Sequence, residues 1–148
     1  MNNIRIRKYH ISDKPELMEI LQMNIPQYFA ETEIKDFDHY LDSAIEQYFV
    51  IEINDKIVGS GGINFEKTSK TGKLSWDIIN PNFQGKGLGT DLLKHRIALL
   101  HSMPDVEKIT VRTSQFAFQF YEKNGFVLEK TQKDFWVKGF DMYKMIYK

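Results

Sequence analysis

The chain has no cysteine. Disulfides, thiolate metal sites and a cysteine nucleophile are therefore excluded, although that absence alone does not fix the compartment. It carries no net charge: 20 Lys and Arg balance 20 Asp and Glu, so charge gives no reason to expect a nucleic-acid or membrane partner. No apolar run approaches the ~20 residues of a membrane span. The N-terminal Met1-Asn2-Asn3-Ile4-Arg5-Ile6-Arg7 lacks an apolar signal core. Repeats, low-complexity tracts and linkers are missing. The histidines have no metal-like partners at suitable spacing, so no metal is expected. What remains is 148 residues of ordinary globular composition, read as one soluble cytoplasmic domain over residues 1–148.

Periodicity orders the elements. Ile4 to Tyr9 alternates apolar and basic residues, as a half-buried strand does. Asp13 and Glu16 have capping-box spacing around Pro15, ahead of a helix with Leu17, Ile20, Leu21 and Ile25 on its apolar face. Pro26 to Glu33 reads as a loop rich in aromatics and acids. Ile34 to Gln47 reads as a second, weaker helix. Tyr48 to Ile53 and Lys56 to Phe65 flank an Asn54-Asp55 hairpin turn. Gly59, Gly61 and Gly62 in the second of these strands suggest a bulge or a close backbone approach. Thr68 to Gly72 is a turn, Leu74 to Ile79 a strand, Leu88 to Leu100 a helix and Lys108 to Thr113 a strand. Ala117 to Lys123 is a short helix stopped at Asn124-Gly125. Phe126 to Lys130 and Asp141 to Tyr147 close the chain as strands, joined by a loop holding Phe135, Trp136 and Gly139. The order β-α-α-β-β-β-α-β-α-β-β implies an α/β (α+β) fold. Its single mixed, mostly antiparallel sheet has about seven strands, with parallel pairing around the central helix.

The sharpest motif is Gln84-Gly85-Lys86-Gly87-Leu88-Gly89-Thr90, placed between a strand and a helix. Glycines let a backbone approach a ligand, and a helix N-terminus offers unpaired N–H groups, so the segment suits a phosphate or pyrophosphate. It does not name the ligand. Thr90 and Asp91 follow Gly89, so the lysine of a phosphate loop is missing, and position 90 denies the third glycine of GxGxxG. A tight turn that binds nothing is the plain alternative.

A second motif, Phe120-Tyr121-Glu122-Lys123-Asn124-Gly125-Phe126, follows the next strand. The pair, in this element order, resembles the GNAT superfamily of N-acetyltransferases over nearly the whole chain. The resemblance implies a twisted sheet with helices on both faces and acetyl-CoA as co-substrate. The loop Gln84, Gly85, Lys86, Gly87, Leu88, Gly89 and Thr90 would bind the pyrophosphate. Ile78 and Ile79, beside a bulge, would pair with the pantetheine arm. The strand Lys108 to Thr113 would splay away to leave a slot for the thioester. Tyr121 would be the general acid beside the CoA sulfur. Ser114 stands where many members have asparagine, so its cofactor contact is a shorter reach.

Acetyl transfer to an amine needs a neutral nucleophile, a polarised carbonyl, alignment and a proton for the leaving thiolate. Asp77 interrupts an apolar strand and is the first candidate base. Glu66, at a strand end, is the second, and a water chain with no single base is the third. Tyr121 read alone could be a core tyrosine, and Asp77 an acid on a solvated face. Phe120 and Phe126 read as core, His95 and His101 as solvated. Tyr28, Phe29, Glu31, Trp76, Phe135 and Trp136 would build the acceptor pocket, where aromatic faces beside acids suit a cationic amine. Packing alone is the competing explanation. The leading reading is an N-acetyltransferase for a small-molecule or peptide amine, without nucleic-acid or membrane partners and with a homodimer admitted. A non-catalytic acyl-CoA-binding regulatory module and transfer of another acyl group are the alternatives.

Overall fold

A computed structural model describes residues 3–148; Met1 and Asn2, which open the N-terminal segment, lie outside the described residues. Seven strands form one sheet in the order β1-β2-β3-β4-β5-β7-β6, with β4 and β5 its parallel pair. They are β1 (Ile4–Lys8), β2 (Gln47–Ile53), β3 (Lys56–Glu66), β4 (Thr71–Ile79), β5 (Lys108–Thr113), β6 (Phe126–Val137) and β7 (Phe140–Tyr147). Helices α1 (Lys14–Met23) and α2 (Glu33–His39) cover one face, and α3 (Leu88–His101) and α4 (Phe118–Lys123) the other. The two-residue period of a strand explains two cores from one sheet. On β2, Phe49, Ile51 and Ile53 face α3, while Tyr48 and Val50 face α1 and α2. The helices answer with Leu88, Leu92, Leu93 and Leu100 on one side and Leu17, Ile20 and Leu21 on the other.

Several boundaries differ from the sequence expectation, each for a local reason. Asp13 and Glu16 form no capping box; Asp13 instead accepts the His10 N–H at 2.8 Å and pairs with Arg7 at 2.9 Å. The second helix ends at His39 and continues as a π-helical turn, Tyr40–Ala44, so Gln47 begins β2. The turn before β4 spans residues 67–70, with Lys70 at φ 52°. Gly72 is already in the strand, paired with Phe65 and Ile109, and its glycine answers to packing, because a larger residue there would collide with Leu100 of α3. Phe135 and Trp136 lie in β6, not in a loop. The polar run 131–134 reads as part of a loop, but it is an edge strand with a solvated face, irregular in register near Asp134 at φ 54°. The Asn54-Asp55 hairpin forms as expected, both residues at positive φ (50° and 67°).

Candidate active site

The site begins with two breaks in the sheet. In β4, Ser75 pairs with Gly62 and Ile78 with Ser60, so one extra residue bulges where Trp76 takes φ 51°. A non-glycine residue is strained there. Trp76 is held by packing on Phe37 (centroids 4.9 Å apart) and by the Tyr48 hydroxyl, which donates to its carbonyl at 2.7 Å. Gly61 is needed opposite the bulge, since a Cβ would lie 2.6 Å from Asp77 Oδ1 and 3.0 Å from an Arg96 nitrogen. The second break is between β4 and β5, whose pairing stops at Leu74 and Val111. Residues 75–79 then show an outer edge with no strand beside it.

A cavity of about 900 Å³ opens into that gap. At one end lies the glycine loop. Gly85 and Gly87 adopt φ 77° and 80°, and nothing stands within 4 Å of where their Cβ atoms would be. Gly87 caps α3, whose hydrogen bonding starts with the Asp91 N–H donating to the Gly87 carbonyl at 3.0 Å. The preceding N–H groups of Leu88, Gly89 and Thr90 have no place in the helical ladder. This end is open, positive in potential and shaped for an anion. Ile78, Ile79, Gln84, Gly85, Gly87, Leu88, Gly89, Thr90, Ser114 and Tyr121 all line this one cavity. Lys86 is exposed and is not part of the lining. The Ser114 hydroxyl oxygen accepts the Phe116 N–H at 3.2 Å, a local turn bond. Phe126 is core, whereas Phe120 both lines the cavity and packs 3.3 Å from where a Gly89 Cβ would be.

At the centre of the cavity a charged network joins three elements. Arg96 of α3, fully buried, donates to Asp77 of β4 through both terminal nitrogens, at 2.5 and 2.8 Å, and to the Gly62 carbonyl at 3.1 Å. The Tyr121 hydroxyl of α4 donates to Asp77 Oδ2 at 2.5 Å. Burial, then the Asp77 charge, pushes the Tyr121 phenol well above its usual pKa. Burial acts to lower the Arg96 pKa, but the Asp77 carboxylate outweighs it and holds the guanidinium above its ordinary value. Sequence reading singled out Asp77 and Tyr121 but missed Arg96. The signal was there: Leu92, Arg96 and Leu100 share one helical stripe, an apolar face with a charge set into it.

Of the expected acceptor residues, Tyr28, Phe29, Trp76 and Trp136 line the cavity, Phe135 does not, and Glu31 is exposed outside it. Glu66 is also outside, paired with Lys73 at 2.6 Å on an exposed strand end. The cavity holds a different acid. Glu33, at the first turn of α2, is 8% exposed and accepts the Ala30 N–H at 2.8 Å. Burial lifts its carboxyl above the ordinary range, with the Ala30 N–H acting against that and the Asp36 charge adding to it. Lys73 and Arg112 also line the cavity, so its charge is not the acidic one expected for a cationic amine. Among the described residues no group of three or more His, Cys, Asp and Glu could hold a metal ion, and no helix is long and apolar enough to cross a membrane.

Comparison with known proteins places this geometry. The UPF0157 protein YqkA of Bacillus subtilis (strain 168) is 27% identical over 124 residues, 78% of this chain. The chain spans 36% of that protein's length. Among solved structures, the ribosomal-protein-S18-alanine N-acetyltransferase of Escherichia coli superposes with a TM-score of 0.78 at 20% identity, covering 99% of this chain and 93% of that one. A spermidine N-acetyltransferase chimera from Vibrio cholerae gives 0.75 at 19% identity, covering 97% and 94%. At these identities the superpositions show a shared fold. The model of the acetyltransferase (GNAT) domain matches residues 21–148, which takes in the bulged strand, the glycine loop and Tyr121; the chain belongs to the GNAT acetyltransferase family.

Proposed function

We propose that the chain transfers the acetyl group of acetyl-CoA to a primary amine of a peptide or small molecule, by direct attack in a ternary complex. Family membership implies acyl-CoA use. The observation that carries the finer reading is continuity. One cavity runs from the glycine loop at the α3 N-terminus, through the gap between β4 and β5, to Tyr121. The N–H groups of Leu88, Gly89 and Thr90 would hold the pyrophosphate, and the free edge of residues 75–79 the pantetheine amides. Bound there, acetyl-CoA supplies an activated thioester carbonyl in the gap. Backbone N–H groups at the Trp76 bulge are the donors this reading assigns to the oxyanion.

An alkylamine with a pKa near ~10.4 is neutral in only about one molecule in 10³ at pH 7, so a base has work to do. Both Asp77 oxygens are engaged by Arg96 and Tyr121. This reading therefore gives Asp77 the task of holding Tyr121. Glu33 is the buried carboxyl of the cavity whose lifted pKa suits a base, directly or through water. A phenol near ~10 is a weaker acid than a thiol near ~8.5, by about 2 kcal/mol in transfer free energy. Tyr121 thus works best as a hydrogen-bond donor to charge building on the sulfur. One observation favours the non-catalytic acyl-CoA-binding alternative: the Tyr121 proton is committed to Asp77 in this state. The pocket itself is tested by calorimetry with acetyl-CoA. Gly87→Val should abolish binding, since valine cannot hold φ 80° cheaply and its side chain fills the open anion site. Unchanged affinity would remove the loop from the reading.

A further inference from the structure

Although the chain is neutral overall, one groove on the sheet is strongly basic. It has a volume of about 400 Å³ and lies over β4, β5, β7 and β6. Gly72 faces Leu100 of α3, so its neighbours Thr71 and Lys73 face the opposite side of the sheet. There α1 and α2 cover β2 to β4, and the groove lies beyond them. Five cations line it (Lys73, Lys108, Arg112, Lys130 and Lys144) against one acid, Glu66. The strand register puts three of them in one transverse row: Arg112 pairs with Lys144, and Lys144 with Lys130. Like charges directly opposite one another destabilise a sheet. Glu66 offsets Lys73 at 2.6 Å and Glu129 offsets Lys144 at 2.9 Å. Lys108, Arg112 and Lys130 have no ion-pair partner among the described residues.

The groove adjoins the cavity, since Lys73, Thr110 and Arg112 line both. The glycine loop is at the other end of β4, a nine-residue strand and so on the order of 25 Å away. The groove is thus a second anion surface, bordering the slot on the side opposite the pyrophosphate end. Arg112 is held in place by rings, its guanidinium carbon 4.6 Å from the Phe135 centroid and 5.5 Å from that of Trp136. Those contacts occupy ring faces that a single-stranded nucleic acid would use for stacking. The row across three strands spans about 10 Å, the reach of roughly three residues of extended chain.

We propose that this groove receives the acidic stretch of a peptide acceptor, with Asp and Glu side chains on Arg112, Lys144 and Lys130 and the peptide's amine in the slot. The proposal rests on the acetyltransferase reading and names its substrate class. It reverses the cationic acceptor suggested by the aromatic composition.

The test uses nine-residue peptides with a free N-terminus and a C-terminal fluorophore, carrying either Asp and Glu at positions three to six or Asn and Gln in their place. Anisotropy is read on the acetyl-CoA-loaded protein. The acidic peptide should bind about 10-fold more tightly at low salt, and the preference should shrink as salt rises. Arg112→Gln combined with Lys130→Gln should erase it. Equal affinity for both peptides, a preference indifferent to salt, or one that survives the double variant overturns the proposal. So does binding of a ten-nucleotide single-stranded RNA that needs the same two side chains while the acidic peptide binds no better than its isostere. Acetyl-CoA affinity measured on the same protein separates the two levels: cofactor binding without a peptide preference removes this proposal alone, and loss of cofactor binding removes the acetyltransferase reading.

Discussion

Tyr121 shows how one side chain can be legible in type and opaque in state. The family resemblance of its short motif marked it as a candidate site residue, and it lines the cavity. Nothing in the sequence said that its hydroxyl would be tied to Asp77, because the two are 44 positions apart. If the phenol serves the leaving sulfur, Tyr121→Phe should lower kcat about 10²-fold and leave acetyl-CoA affinity within about twofold, read by steady-state kinetics and calorimetry on one preparation. Unchanged kcat would make Tyr121 a core residue. Glu33 was seen as one more acid in an acidic loop, since its burial depends on where α2 packs. As a base it must be ionised, and its lifted pKa places the rising limb of kcat/KM against pH above the ordinary carboxylate range. Burial is the first cause of that position, and the Ala30 N–H and Asp36 are the groups that modify it. Glu33→Gln should remove the limb while amine deprotonation still contributes at higher pH. A limb that persists in the variant hands the proton to a water chain.

Elements were read well where pattern and packing agree. The apolar stripe of α3, the hairpin at Asn54-Asp55 and the glycine loop follow from local rules, and all three form. The misreadings fall where tertiary neighbours override local chemistry. Gly72 looked like a turn residue and is a strand residue because β3 and β5 pair with it, its missing side chain making room for Leu100 of α3. The polar run in β6 looked like a loop and is an edge strand because β7 supplies its ladder. The Arg96–Asp77 pair joins α3 to β4 across the core side of the bulge, and it belongs to this scale. With Arg96 fully buried and the Asp77 side chain 19% exposed, removing one partner strands a partly desolvated charge. Arg96→Met should cost roughly 3 kcal/mol, a fall of about 10 °C in Tm for a chain of this size. Asp77→Leu added to Arg96→Met should recover much of that stability without recovering turnover. A loss below about 1 kcal/mol in thermal melts would mean that solvent already screens the pair.

At the scale of the whole molecule, the sheet is both scaffold and site. Apart from the Asn54-Asp55 hairpin and the parallel pair around α3, its pairings could be anticipated only as a class, mixed and mostly antiparallel, and the order β1-β2-β3-β4-β5-β7-β6 shows why the site lies where it does. The parallel pair β4–β5 is pinned at its start by Thr71 to Leu74 against Lys108 to Val111 and parts beyond it. Helix α3 begins at the open end, and the basic groove lies where the strands are still joined. On the proposed reading, acetyl-CoA and acceptor would approach the gap from different sides. That arrangement makes one claim central: the cavity brings a thioester and an amine together for transfer. Thiol release from acetyl-CoA, followed across a panel of peptide amines, amino acids and polyamines, tests it most directly. The account predicts saturable, acceptor-dependent release from at least one amine class, strongest for acidic peptides. Tight acetyl-CoA binding with no release above the buffer rate for any acceptor would contradict it and leave an acyl-CoA-binding module.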